Sequence, residues 1–575
     1  MSTAAQSAPE REPAVEPARP LRSIRGWLPA VTAVLVTAWV FRTVLLDGAL
    51  PGNIGDARWT IALHEHWYRV LTGQDAVRDL QYYYPLGKTL GTSDAYLAQG
   101  VLYSIPRLLG AGMIGSWLVG TIGIFLIGAL GVAVLARQLL DSVVLQCAFV
   151  ALCAASYGVF SGYGHPQLFG MLVVAWIFVG LYDLVGRRHV RRGIALLVVV
   201  PPVLGLSSWY PMVFAVIILA VLAAGLLLVS SGAGIARMVR QVALDLWRTL
   251  RSVAGVVLAV VFVVLWAAVL WVYLPSRGIL PPAGVGDLVA YSPRWSDIWN
   301  ASIGGGGIWS ALYARIQGFG FSNPEQQYGF TPVFFLAFAA AGLWLVRLAT
   351  VHPVRPDPTV DPSRPPVAVG RNGLAAATLT VVATIALFLM DDRGLGLFRL
   401  LWTSVPGVES IRAPFRVMTL VFGIALFVIV RLIELTWRDL GPQARPAWQR
   451  VAFVTGSGAL LLLILVEMQR PPETNWTADQ WLPPALAAQV DTIRAECDAL
   501  VLTSDDPAEP AWLTPINAVV LSTETGVPTP QGYSRADPLD YPVAGSGAEG
   551  YAQWLRQHGF DGRVCEVSAQ GVGPL

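Results

Sequence analysis

Apolar stretches long enough to cross a bilayer recur along this chain, and no other feature limits its fold so tightly. A helix needs about 20 apolar residues to span the hydrocarbon core. Segments that meet or approach that length lie at roughly 27–47, 112–136, 143–163, 167–185, 193–207, 211–230, 252–274, 329–349, 373–391, 414–436 and 451–468. The expected fold class is a membrane all-α bundle of about eleven transmembrane helices. Segments 193–207 and 211–230 are split by Pro201, Pro202 and the Ser207–Pro211 break, and read as a hairpin or as one broken helix. The shorter apolar segment 96–109 contains Pro106 and Arg107 and reads as interfacial or re-entrant.

Composition excludes the other classes. Only 13% of the 575 residues are charged and 55% are apolar, about half the charged share of a soluble domain. Mean hydropathy is +0.57, so polar residues are too few to coat a soluble core of this size. A soluble enzyme, a disordered chain and a collagen or coiled-coil rod are thereby excluded. The net charge of +2 gives no sign of a nucleic-acid partner. Four cysteines occur without Cys-x-x-Cys spacing, so neither a zinc module nor a redox motif is expected.

Arginine placement orients the spans, because short cytoplasmic loops carry the excess of Lys and Arg. Arg187, Arg188, Arg191 and Arg192 share one loop, Arg237, Arg240, Arg248 and Arg251 a second, and Arg431, Arg438, Arg445 and Arg450 a third. Arg11, Arg19, Arg22 and Arg25 precede the first span. The alternate connections 162–166 and 207–210 hold neither Lys nor Arg. This places the N-terminus in the cytoplasm and, with an odd span count, the C-terminus outside an inner (plasma) membrane. Residues 1–26 read as a disordered cytoplasmic tail, 27–469 as the transmembrane domain, and 351–371 as a Pro-rich cytoplasmic linker. Outer loops are expected at 48–111, 275–328 and 392–413. Residues 470–575 read as a small α/β extracytoplasmic C-terminal domain, with strand-like runs Ala499–Thr503, Ala518–Ser522 and Arg563–Ser568 and a helix over Gly547–His558. Cys497 and Cys565 both fall in this oxidising compartment, where they either pair or stay free thiols. Cys147 and Cys153 read as core residues.

Ionisable groups are nearly absent from the span interiors, Arg42 near the outer interface being the main exception. Ion-coupled carriers need such groups near the midplane, so chemistry is expected in the outer loops. The first of these contains Pro51-Gly52-Asn53-Ile54-Gly55-Asp56-Ala57-Arg58, followed by Trp59, Leu63, Trp67, Val70 and Leu71 at helical spacing. That pattern predicts an interfacial helix with Asp56 at its N-terminal end. Asp56 is a candidate general base, and equally a helix N-cap. Tyr82-Tyr83-Tyr84-Pro85-Leu86-Gly87-Lys88 follows, with the chain's one lysine beside three tyrosines, then Ser93-Asp94. Lys88 is a candidate ligand of a lipid phosphate or sugar, against an aromatic-belt role for the tyrosines. Asp94 supplies a second carboxylate. His165 sits in a tight turn, Gly164-His165-Pro166-Gln167. In Ser410-Ile411-Arg412-Ala413-Pro414-Phe415-Arg416, Arg412 and Arg416 are spaced to share a helix face, and Pro414 suits a helix's first turn. Free N–H groups there also attract anions, which makes a phosphate seat; headgroup snorkelling is the plainer role. Glu325 and Tyr328 are weaker candidates. Sequons at Asn300 and Asn475 match what chance supplies.

These residues resemble the GT-C superfamily of integral-membrane glycosyltransferases, with an acidic residue early in a long first outer loop, many spans and an outer C-terminal domain. Gly55-Asp56-Ala57-Arg58, the stretch from Tyr83-Tyr84-Pro85 to Ser93-Asp94, and Ile411–Arg416 resemble a bacterial group of YfhO-like and GT-C-like multi-pass proteins. Gly532-Tyr533-Ser534 resembles that group's tail tyrosine motif. The Asp-x-Asp or Glu-x-Asp pair of many GT-C enzymes is missing, since Ala57 and Arg58 follow Asp56. The resemblance implies sugar transfer from a polyprenyl-phosphate donor to a glycan, lipid or protein acceptor on the outer face. Asp56 would be the base, and Lys88, Arg412 and Arg416 would stabilise the leaving phosphate. Arg58 would join substrate binding, Asp94 and His165 would hold sugar or else a divalent metal, and the C-terminal domain would recognise acceptor. Two other readings stay open: a lipid or glycan transporter, and a non-catalytic scaffold of envelope assembly.

Overall fold

A computed structural model describes residues 20–156, 158–159, 165–299, 328–351, 371–391, 393–439, 446–468, 476–504, 509–534, 536–542 and 546–575. Glu325, Asn300 and Asn475, residues 1–19 and nearly all of the 351–371 linker lie outside the described residues.

Seven described helices are long and apolar enough to cross a membrane: Met113–Leu139, Pro166–Val185, Val190–Ser207, Trp209–Val229, Val253–Tyr273, Pro414–Arg438 and Ala447–Glu467. Shorter apolar helices, Gly26–Val40, Val143–Ala154, Pro332–Arg347 and Asn372–Phe388, fall on the other expected spans. The chain is a polytopic helical membrane protein with seven candidate spans among its described residues. Labels follow the elements used below: α1 (Pro20–Val40), α2 (Ile54–Leu71), α3 (Leu97–Leu108), α4 (Met113–Leu139), α5 (Val190–Ser207), α6 (Trp209–Val229), α7 (Met418–Asp439), α8 (Leu513–Thr525) and α9 (Gly547–Gln557). Serine side chains start several helices by accepting free N–H groups: Ser142 from Leu145, Ser231 from Gly234 and Ser252 from Gly255. The ambiguous pair resolves into two helices, α5 and α6, meeting at the extended Ser208.

The second arginine-rich loop is itself a helix, Gly232–Leu250, with Val239, Leu246 and Trp247 exposed among its arginines. One apolar side and one arginine-rich side suit a surface helix lying along the bilayer.

The chain's last hundred residues build a three-stranded sheet, β1 (Ala499–Leu502), β2 (Val564–Ser568) and β3 (Gly571–Pro574). β1 and β2 are parallel with Leu500 opposite Cys565, and β2 and β3 are antiparallel. A disulfide joins Cys497 to Cys565. Ala518–Ser522, expected as a strand, belongs to α8. Its short apolar run carries no period of its own, and burial of Ile516 and Asn517 through Thr523 encloses the whole turn. Gly526, in the left-handed region at φ +76°, ends the helix.

The tail and the membrane region share a core. Leu50, Ala57 and Ile61 pack with Trp476, Trp481, Ile516 and Leu521. Helix α2, expected to lie in the lipid interface with one polar side, is instead buried from Ala57 through Trp67. The tail's α8 covers one side of it and α3 another.

Candidate functional site

Asn53, and not Asp56, caps α2. Its Oδ1 accepts the Asp56 N–H at 2.7 Å, and its Nδ2 donates to Asp56 Oδ2 at 2.9 Å. The Asp56 carboxylate is thereby released from capping duty but stays in the first turn, where the helix dipole favours negative charge. Two further groups reach it from remote sequence. Tyr533 OH donates to Oδ1 at 3.2 Å, and His165 Nδ1 lies 3.4 Å from Oδ2. The Asp56 side chain keeps 17% exposure and His165 27%, so the site is open.

Asp94 sits close by in a different role. Its carboxylate accepts the Trp209 N–H at 2.8 Å and the Ser208 hydroxyl at 3.3 Å, and so caps α6. Burial pushes its carboxyl up to about 6, while those hydrogen bonds and the charges of Arg416 and His165 pull the other way. Tyr96 ties the same loop to the turn bearing His165, through a hydrogen bond to Gln167 Oε1 at 2.7 Å.

Arg412 and Arg416 flank the group but do not share a helix face. The helical turn starts at Pro414, and the residue before a proline is kept out of the α region, so Arg412 stays in the preceding loop. Its exposed guanidinium lies over the Tyr291 ring at 4.8 Å, and that of buried Arg416 over the Tyr210 ring at 5.3 Å. Tyr210 OH also accepts the N–H groups of Arg412 and Ala413. Both arginines act electrostatically on the site: Arg412 on the Tyr533 phenol, Arg416 on Asp94.

Two expected ligands are placed elsewhere. Arg58 is 2% exposed and donates to the carbonyls of Ile54 and Trp481 and to Asn517 Oδ1. Burial lowers its pKa to about 10, with Glu509 opposing; it clasps α2 to the tail. Lys88 is exposed, its N–H bound to Asp79 and its carbonyl to Ser276. Among the described residues no hydrogen bond or ion pair joins Lys88 to Asp56 or Asp94. Nor is any group of three or more His, Cys, Asp and Glu side chains among them arranged to hold a metal ion.

Sequence reasoning gave Tyr533 no catalytic part and missed Asn53, Tyr210 and Tyr291. An asparagine three residues before an acid at a helix start is a legible capping signal for Asn53. The tyrosines carried no local signal, because their roles arise from contacts across 80 or more residues.

No protein-family model matches the chain, and no curated protein does. Among solved structures, it is similar to the Archaeoglobus fulgidus oligosaccharyltransferase in the apo form, at 14% identity and a TM-score of 0.41, over 90% of this chain and 61% of that one. The chain thus spans about three fifths of the archaeal chain's length. It is also similar to ArnT from Cupriavidus metallidurans bound to undecaprenyl phosphate, at 13% identity and a TM-score of 0.37, over 88% of this chain and 85% of that one. Likeness at these scores concerns outline, and residue roles are argued from this chain alone.

Proposed function

We propose that this protein is a membrane glycosyltransferase that moves a sugar from a polyprenyl-phosphate donor to a hydroxyl-bearing acceptor at the outer face of the inner membrane. One observation carries the reading: a partly exposed carboxylate, Asp56, is held by Asn53, His165 and Tyr533 on the side of the molecule where Arg412 lies over Tyr291 and Arg416 over Tyr210. A base fixed in place next to separate cations is what displacement of a phosphate by a hydroxyl needs.

In this reading Asp56 accepts the acceptor's hydroxyl proton as the oxygen attacks the anomeric carbon. The new carbon–oxygen bond forms on the face opposite the breaking bond to phosphate, so configuration inverts. The leaving polyprenyl phosphate takes the bonding electrons, and Arg412 and Arg416 neutralise the charge that develops. To reach it the exposed Arg412 guanidinium leaves the Tyr291 face, a contact worth about 0.5–1 kcal/mol at exposed sites. Asp94 holds the start of α6, and with it Tyr210, in position. The same orientation puts the arginine-rich loops and the N-terminus in the cytoplasm.

The test is a deletion strain rescued with wild type or with Asp56→Asn. The Asp56→Asn protein is expected to insert normally, accumulate one polyprenyl-phosphate sugar and leave one envelope glycan linkage unmade. Full rescue by Asp56→Asn would sink the reading.

A further inference from the structure

The tail was expected to serve acceptor recognition alone, yet three of its elements close on the first turns of α2, where the Asp56 carboxylate sits. Trp512 and Ile516 pack against Gly55, where a Cβ would meet Trp512 Cζ3 at 2.7 Å. Arg58 reaches the Trp481 carbonyl and Asn517. Tyr533 donates to the carboxylate itself.

Tyr533 is held there by a continuous set of hydrogen bonds running back to the sheet. Gln531 bonds the Leu502 backbone of β1 through both ends of its amide, at 2.6 and 2.8 Å. The segment 529–531 is woven into the first loop: the Thr529 N–H donates to the Gln81 carbonyl at 2.9 Å, and the Tyr84 N–H to the Thr529 carbonyl at 3.1 Å. Gly532 lies flat on the Tyr83 ring, where any side chain would collide. Ser534 Oγ donates to the Thr92 carbonyl at 3.0 Å, and the Tyr533 ring meets Trp59 edge-on. The phenol therefore has little freedom, and its O–H is aimed at Oδ1 while Asn53 and His165 address Oδ2.

We propose that the tail is a component of the catalytic centre, with Tyr533 a positioning residue that fixes the rotation of the Asp56 carboxylate so that one oxygen faces the acceptor hydroxyl. This rests on the transferase reading. A carboxylate held on both oxygens stays in attack geometry, and one held on a single side turns about its own bond and loses it.

The experiment uses the full-length protein in detergent, with the lipid-linked sugar that accumulates in the deletion strain as donor. Tyr533→Phe keeps the ring and its packing and removes the hydroxyl. It is expected to lower kcat about 10- to 100-fold, the weight of one hydrogen bond to a charged group, with donor KM and melting midpoint unchanged. Combined with Asp56→Asn it should cost nothing beyond Asp56→Asn alone, because it acts through that carboxylate. An undiminished kcat in Tyr533→Phe, or a loss that multiplies with that of Asp56→Asn, overturns this inference and leaves the transferase reading standing. A wild-type protein that consumes no lipid-linked sugar overturns that reading, and this inference with it.

Discussion

The two ends of the helical bundle use the same ionisable side chains in opposite ways. Helix Pro166–Val185 separates them, with His165 just before it and Arg187 just after, about 30 Å apart along its axis. At the arginine-rich end, buried carboxylates are closed into ion pairs. Asp183 takes Arg192 at 2.6 Å, Asp245 takes Arg187 at 3.0 Å, and Glu434 takes Arg431 while also accepting the N–H groups of Asp141 and Ser142. At the other end Asp56 and Asp94 have no arginine within ion-pair distance among the described residues, and Arg412 and Arg416 are stacked on tyrosines. Pairing satisfies charge and fixes structure. A carboxylate with no arginine beside it stays available to a substrate that brings its own proton.

That contrast can be broken at either end. The largest effect belongs to Asp56→Asn, expected to cut turnover by about 10²- to 10⁴-fold, the usual worth of a general base, with an unchanged melting midpoint. Glu434→Gln should do the reverse. It leaves Arg431, 6% exposed, with Asp141 at 3.3 Å as its remaining carboxylate and costs about 2 kcal/mol of stability, read by thermal unfolding, while kcat of the folded protein stays at the wild-type value. A Glu434→Gln protein as stable as wild type would show that the pairs at this end are ornamental.

Arg412→Ala sharpens the comparison further. Among the described residues its exposed guanidinium meets the Tyr291 ring face, so stability should hold while kcat/KM for the lipid-linked sugar drops about 10- to 100-fold. The smallest effect is on pH. The Asp94 carboxyl is raised from 3.8 to about 6, so between those values the folded state binds more protons than the unfolded chain. Stability is therefore highest at the acid end of that window and declines as pH rises through it. Melting midpoints of wild type, referenced to Asp94→Asn, should fall from about pH 4 to about pH 6 and level off above. A flat difference would mean that the Trp209 and Ser208 hydrogen bonds fully offset the burial.

Much of the architecture was legible because hydrophobic length and arginine placement are local, additive properties of the chain. The apolar helices fall on the expected segments, and the strand at Ala499–Leu502 and the helix at Gly547–Gln557 come from short-range patterns. Ala518–Ser522 was misread because an unbroken apolar run fits a buried strand or one turn of a buried helix equally well. α2 was misjudged for a related reason: its amphipathic pattern told that it would bury one side, and the tail that buries the other lies over 400 residues away. At the site, Asp56, Asp94, His165, Arg412 and Arg416 were legible as polar groups in otherwise apolar surroundings. Their division of labour was not. Capping passed to Asn53, Asp94 went to the start of α6, and Pro414 kept Arg412 off the helix.

The sequence by itself determined that this chain enters a membrane, because no folding of residues so poor in charge could satisfy water. It also determined where the reactive groups could lie, since burying unpaired charge in lipid is prohibitively expensive. Which carboxylate stands open and which is spent on a helix end was decided by tertiary structure alone. Hydrogen bonds act over about 3 Å, and Tyr533, 477 residues from Asp56, comes within that reach only once the tail has folded onto the first loop.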